Sequence, residues 1–279
     1  MKFKSELILQ RITQDHLDVF DLKLISSEFQ YNNQRFDTLA FDINDNSFVI
    51  IEYKNKMDFE VLNQGESYYN LLLENKDIYI AKYNEVFQTN LEKEDFDFDK
   101  TKVLIIGPEF NKKQLLAAKL PYYPFEIWKV TLNENFCISY ENVVTDEIKY
   151  LQVTKNDLEL TEEELLQNRS DKILELYNII TNRVKNEFPD ATRKILIDAF
   201  SYRLNNKLIC KFMFSSNFLK VYFYTKEIKD IRGKLEDIAG KNIGGNTYYK
   251  FKLTSKEDID YFMELFRQIY ILEIKEELK

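Results

Sequence analysis

The chain has 279 residues, of which 44% are hydrophobic, 31% charged and 15% aromatic. That length suggests two domains with ample room for a buried core, and the aromatic content excludes a disordered tail protein. Only 6 Gly and 4 Pro exclude collagen-like or linker-rich designs, and a formal charge of −8 argues against generic polyanion binding.

The opening stretch Ser5–Phe20 reads as an amphipathic helix, with Leu7, Leu9 and Ile12 at near-helical spacing and Leu17 and Phe20 beyond. Three β-prone runs follow, Ile25–Gln30, Phe36–Asp42 and Phe48–Tyr53, with Ile43–Asn46 as turn chemistry between the last two. Phe59–Glu74 looks helical. Val103–Ile106 is a short, continuous apolar strand of the kind buried on both faces. Asn111–Leu120 offers another helix, and Phe125–Leu132 with Phe136–Tyr140 a hairpin. These elements make an α/β domain over residues 1–150, followed by an acidic connector over 151–169 that turns helical from Thr161.

Residues 170–279 read as an α+β domain. Ser170 resembles an N-cap for a helix striped with Ile173, Tyr177, Ile180 and Val184, which Pro189 ends. Strand-like runs follow at Ile195–Tyr202, Leu208–Phe214, Leu219–Tyr224 and Tyr248–Leu253. A loop holding Gly240, Gly244 and Gly245 precedes the last run, and Ser255 caps a closing helix through about Ile274. Gly244-Gly245 reads as a tight turn before an anion-binding nest. Charge is uneven: residues 1–150 carry 17 basic and 26 acidic side chains, whereas residues 183–252 carry 15 and 7. Lysines interleave with aromatics there, as in Lys220–Tyr224 and Tyr248–Lys252. That pattern fits either an outward face for nucleic acid or a core of aromatics with solubilising lysines.

Several chemistries are excluded. His16 is the single histidine, which argues against zinc hydrolases and Ser-His-Asp triads. No G-x-G-x-x-G or Walker-type loop is present, so no nucleotide cofactor is expected. Cys137 and Cys210 are too far apart for a C-x-x-C knuckle and read as small hydrophobes in a reducing, cytoplasmic setting. No apolar run approaches the ~20 residues of a membrane span, and no signal-peptide core is visible.

The informative constellation is RFDTLAFD at Arg35–Asp42 followed by FVIIEYKNK at Phe48–Lys56. Strand period two puts Glu52 and Lys54 on one face, near Asp37 on the preceding strand. Two carboxylates and an ammonium beside Val49, Ile50 and Ile51 are costly unless paired or bound to a cation. The other reading is an ordinary cross-strand ion pair. Gln64 and Tyr68, four apart, share a face of the next helix.

This pattern resembles the PD-(D/E)XK, restriction-endonuclease-like superfamily, with Phe36 where the superfamily's proline stands. The branch it resembles has R-x-D, E-x-K and Q-x-x-x-Y elements and contains single-strand-directed and mismatch-directed DNA nucleases. The resemblance implies a restriction-endonuclease-like α/β fold, a mixed sheet flanked by helices, over about residues 1–140. It further implies Asp37 and Glu52 as Mg²⁺ (or Mn²⁺) ligands with Glu6 as an additional acidic group, and Lys54 polarising the nucleophile. Gln64 would line the site, Tyr68 would support the scissile phosphate or a base, and Arg35 matches the R-x-D strand as a substrate contact. The implied activity is metal-dependent endonucleolytic hydrolysis of DNA, in repair or defence; the alternative is a catalytically inactive nucleic-acid-binding or partner-docking protein that keeps the fold. The whole chain also resembles bacterial and archaeal proteins labelled "predicted transport protein", through Asp230-Ile231-Arg232-Gly233, Gly244-Gly245-Asn246 and the Ser255–Ile269 helix. Those proteins join a nuclease-like domain to a C-terminal domain of unknown function, here a candidate for nucleic-acid, partner or homodimer contact.

Overall fold

A computed structural model describes residues 3–120, 124–226, 228–239 and 247–277, with side chains to Glu273 in the last helix. The chain divides into two compact units, residues 1–159 and 160–279. The glycine-rich loop with Gly240, Gly244, Gly245 and Asn246 lies outside the described residues.

In the first unit the Ser5 side chain accepts the Ile8 N–H and starts α1 (Glu6–Asp15), which buries Ile8, Leu9 and Ile12. The helix is shorter than the periodicity suggests. His16 leaves helical geometry at φ −134°, and Leu17–Phe20 forms a separate 3₁₀ turn that still buries Leu17 and Phe20. Next come β1 (Leu22–Tyr31), β2 (Gln34–Asp42) and β3 (Ser47–Tyr53), with β2 antiparallel to both of its neighbours. Asn32 and Asn33, at φ 50° and 61°, make the two-residue turn between β1 and β2, where asparagine tolerates the left-handed region. Asp42 Oδ1 accepts the N–H groups of Asn44 and Asp45 in the following turn.

After α2 (Val61–Glu74) comes α3 (Lys76–Phe87), a helix the sequence pattern does not announce. Its apolar residues are spread around the helix rather than along one stripe, and only Tyr79 and Ile80 are buried. β4 (Lys102–Gly107) lies parallel to β3; after α4 (Lys112–Ala117), β5 (Phe125–Leu132) lies parallel to β4. β6 (Cys137–Asn142) and β7 (Ile148–Gln152) complete a seven-stranded mixed sheet in sequential order. The unit therefore runs past the expected boundary at 150, because β7 pairs along β6 to Gln152 and Val153 N–H still bonds the Phe136 carbonyl. On one sheet face Phe41, Phe48, Ile50, Val103 and Ile105 pack with α2 and α3 residues Val61, Leu72, Tyr79 and Ile80.

The second unit opens with α5 (Glu162–Leu166), where Thr161 and Glu164 form a reciprocal capping box, and α6 (Asp171–Glu187). Ser170 occupies the N-cap position of α6, but its hydroxyl donates to the Ser216 carbonyl and makes no cap bond. A six-stranded antiparallel sheet follows, from β8 (Thr192–Leu196), β9 (Ala199–Leu204), β10 (Lys207–Phe214), β11 (Leu219–Phe223), β12 (Glu236–Asp237) and β13 (Tyr249–Leu253). The single strand expected over Ile195–Tyr202 is two: Asp198, at φ 53°, turns the chain so that Leu196 pairs with Ala199. The closing α7 (Lys256–Glu277) packs Phe262, Leu265 and Phe266 against Phe212 and Phe223 of the sheet, joined by Tyr177 and Ile180 of α6. Cys210 is buried in that core and Cys137 is half-buried; both are free. Among the described residues no helix is long and apolar enough to cross a membrane.

Candidate active site

The strand pairing of the first unit brings the charged trio together. Thr38 pairs with Ile51 across β2 and β3, so one step further along Asp37 faces Glu52. On β3 the alternate residues Phe48 and Ile50 feed the core under α2 and α3; Glu52 and then Lys54 continue the same face where that apolar stripe ends. The Tyr53 N–H donates to Asp37 Oδ2 at 3.0 Å, so the carboxylate takes the place of a ladder partner and is held against β3.

Glu52 is 1% exposed. Lys54 Nζ donates to its Oε1 at 2.6 Å, while Oε2 is buried with no hydrogen-bond partner. An orphaned carboxylate oxygen of this kind is expensive in a protein interior. Burial first, and then the charge of Asp37, push the Glu52 carboxyl up to about 8 against the opposing pull of Lys54. Burial likewise pushes Asp37 up to about 6, offset in part by the Tyr53 N–H and Lys54. Burial works against the Lys54 ammonium, but Glu52, Glu6 and Asp37 outweigh it and hold it above the usual lysine range.

α1 and α2 close the site from two sides. Glu6, on the first turn of α1, accepts the Asn55 N–H at 3.3 Å, just past the end of β3. On α2, Gln64 Nε2 donates to the Tyr68 hydroxyl at 2.6 Å, and the Tyr68 ring packs 4.6 Å from that of Phe36. Burial raises the Tyr68 hydroxyl, and the charges of Glu52, Asp37 and Lys54 all act on it. Gly65 sets the depth of this helix: a Cβ there would meet Phe125 Cε1 at 2.5 Å and Val103 Cγ1 at 3.3 Å. A bare backbone at 65 thus lets α2 settle on β4 and β5, with Gln64 beside it.

Arg35 points its charge at a neighbouring strand. Its Nε lies 2.9 Å from Glu28 Oε2, which leaves its side chain 48% exposed but already paired. Glu28 itself sits at φ 53°, unusual for a residue with a Cβ. Its Oε1 accepts from Gln10 Nε2 at 3.1 Å, and the same Gln10 nitrogen donates to the Asp37 carbonyl at 2.8 Å. Gln14, one turn on, also reaches the Asp37 carbonyl, at 3.2 Å. These two glutamines fix the backbone at Asp37 and were not singled out from the sequence; their i, i+4 spacing on α1 is the signal that could have found them. His16 is exposed and outside this constellation.

The donor set suits a hard divalent cation. Glu52 Oε2 lacks a partner, Asp37 faces it across the strand pair, and both are oxygen ligands of the type Mg²⁺ takes. Among the described residues no three His, Cys, Asp or Glu side chains converge as a ready-made cage. A cation here would complete its shell with water, as Mg²⁺ commonly does.

No known family profile matches the chain. Two solved structures align with part of it: a repair endonuclease from Pyrococcus abyssi (TM-score 0.29, 18% identity, 45% of this chain and 46% of that one) and an EndoMS–dsDNA2 complex (TM-score 0.28, 17% identity, 42% and 41%). The chain thus spans under half the length of either. A protein of Haemophilus influenzae, described only as uncharacterized, is 31% identical over 285 residues, covering 96% of this chain and 93% of its own. With that identity across nearly its whole length, the chain belongs to the family of this Haemophilus influenzae protein.

Proposed function

We propose that the first unit is a metal-dependent endonuclease that hydrolyses phosphodiester bonds in DNA. One observation carries the reading: a buried Glu52 with one orphaned oxygen faces Asp37 across a strand pair, with Lys54 at 2.6 Å on the same face. Side chains so costly to bury are retained for chemistry more readily than for stability.

Asp37 and Glu52 would hold the Mg²⁺ or Mn²⁺ ion, with Glu6 as a further acidic group, and the ion would supply Lewis-acid polarisation of a phosphoryl oxygen. Lys54 presents a fixed positive charge where negative charge builds on the phosphate being attacked, and Glu52 Oε1 aims it. Asp37 is kept in place by Tyr53 N–H on one side and by Gln10 and Gln14 on its carbonyl. Gln64 and Tyr68, tied to each other, form the α2 wall against which the backbone of the substrate would lie.

The test is incubation of the purified protein with single-stranded, duplex and branched DNA in Mg²⁺, Mn²⁺ or EDTA, beside Glu52→Gln and Lys54→Met. Metal-dependent cleavage lost in both variants is the expected result. Cleavage that persists in both, or that proceeds in EDTA, overturns the reading; salt-sensitive binding without cleavage favours a binding protein that keeps the fold.

A further inference from the structure

The sheet of the second unit is two-faced. Phe200, Phe212, Val221, Phe223, Phe251 and Leu253 point into the core shared with α6 and α7. The alternate residues therefore emerge on the opposite face, and pairing fixes their order there. One row runs Lys194, Ser201, Lys211, Tyr222, Lys250 and Glu236 across β8, β9, β10, β11, β13 and β12. The next runs Met213, Lys220 and Lys252. Tyr222 is thus surrounded, with Lys211 and Lys250 on its flanking strands and Lys220 two residues before it.

The charges on this face are not balanced. Lys250 pairs with Glu236 at 3.1 Å, and at the edge of the same groove Lys234 pairs with Asp258 at 2.6 Å. Lys194, Lys211, Lys220 and Lys252 have no carboxylate within ion-pairing distance among the described residues. Lys220 and Lys252 are directly opposite one another, an arrangement that costs stability in a sheet. Both instead place their ammonium groups over the Phe218 ring, at 5.9 and 5.3 Å. The groove they line with Tyr222 has a volume of about 530 Å³.

We infer that this face binds a single strand of nucleic acid, with lysines on the phosphates and Tyr222 stacked on a base. The unpaired lysines extend from β8 to β13, four strand spacings or roughly 19 Å, farther than one small phosphorylated ligand reaches. A polymer of regularly spaced anions matches that span. A half-buried ring lining the groove among the lysines suits a base face that a single strand exposes and a duplex hides. The inference stands on the second unit alone and does not depend on cleavage by the first.

Fluorescence anisotropy of the full chain with a labelled single strand of about 15 nucleotides, in EDTA so that no metal-dependent cleavage intervenes, tests it. The triple variant Lys211→Ala, Lys220→Ala, Lys252→Ala is expected to bind at least about tenfold more weakly, with a log–log salt slope shallower by about 2. Tyr222→Leu is expected to lose about tenfold with the salt slope unchanged. Lys172→Ala, Lys185→Ala and Lys256→Ala together, three exposed lysines of α6 and α7, serve as the charge-matched control and are expected to change nothing. Circular dichroism melts check that each variant is folded. Unchanged affinity in the triple variant, equal affinity for duplex, equally tight binding of a mononucleotide, or an equal loss in the α6 and α7 control overturns the inference. Because the readout is binding without metal, its failure and the failure of the hydrolase proposal are seen separately.

Discussion

The two units handle charge in opposite ways over similarly aromatic cores. In the first, Phe48 stacks with Phe96 and Phe98, and the charged trio continues the same sheet face, with Glu52 buried and Asp37 and Lys54 half-buried. In the second, Phe212 stacks with Phe200 and meets Phe262 edge-on, and the charges stay on the outer face of the sheet. Buried charge lowers stability unless something compensates it, so few side chains suffice to mark a site. Exposed lysines cost little, and only their arrangement carries information.

If the cores are equivalent, deleting a central ring should hurt each unit alike. Phe48→Ala and Phe212→Ala are each expected to destabilise by about 3–5 kcal/mol in urea unfolding. A loss well below that range at either site would show that one unit is loosely packed and break the symmetry. Next, Glu52→Gln and Lys54→Met are expected to lower single-turnover cleavage by about 10²–10³, with no such effect from Lys172→Ala on α6 of the second unit. A smaller effect is expected of Gly65→Ala. The added methyl pushes α2 off Phe125, costing about 1–3 kcal/mol in thermal or urea unfolding and moving Gln64 and Tyr68 with it. Unchanged stability there would mean that α2 does not depend on the close approach.

The pH response should separate the units most finely. Free carboxyls ionise near pH 4, but the folded chain holds protons on Asp37 to about 6 and on Glu52 to about 8. The native state therefore binds more protons than the unfolded one between those limits, and metal-free stability falls as pH rises from about 4 to about 8. Melting curves in EDTA measure this. Glu52→Gln is expected to flatten the slope, whereas Lys220→Ala leaves it in place. A slope untouched by Glu52→Gln would locate the linkage elsewhere.

Much of the site was legible in the chain. The E-x-K spacing on an apolar strand announced that Glu52 and Lys54 share a face, and the i, i+4 spacing of Gln64 and Tyr68 announced that they share a helix face, on which the structure shows them hydrogen-bonded. Arg35 was legible as a charged neighbour of Asp37 but not as the partner of Glu28, because that pairing depends on β1 lying beside β2. α3 was missed because its apolar residues follow no single stripe, and the break at Ile197-Asp198 was missed because a lone Asp198 sits inside an otherwise continuous apolar run from Ile195 to Phe200.

Local pattern thus determined which residues could share a strand face or a helix face, since side-chain direction is fixed by backbone period alone. It marked Asp37, Glu52, Lys54, Gln64 and Tyr68 in this way. Only the tertiary structure decided which faces meet: that Asp37 stands opposite Glu52, that α1 anchors the Asp37 carbonyl, and that Lys220 confronts Lys252 with Tyr222 among the lysines. Those contacts join segments far apart in sequence, and strand order and register, which no local spacing encodes, set which of them form.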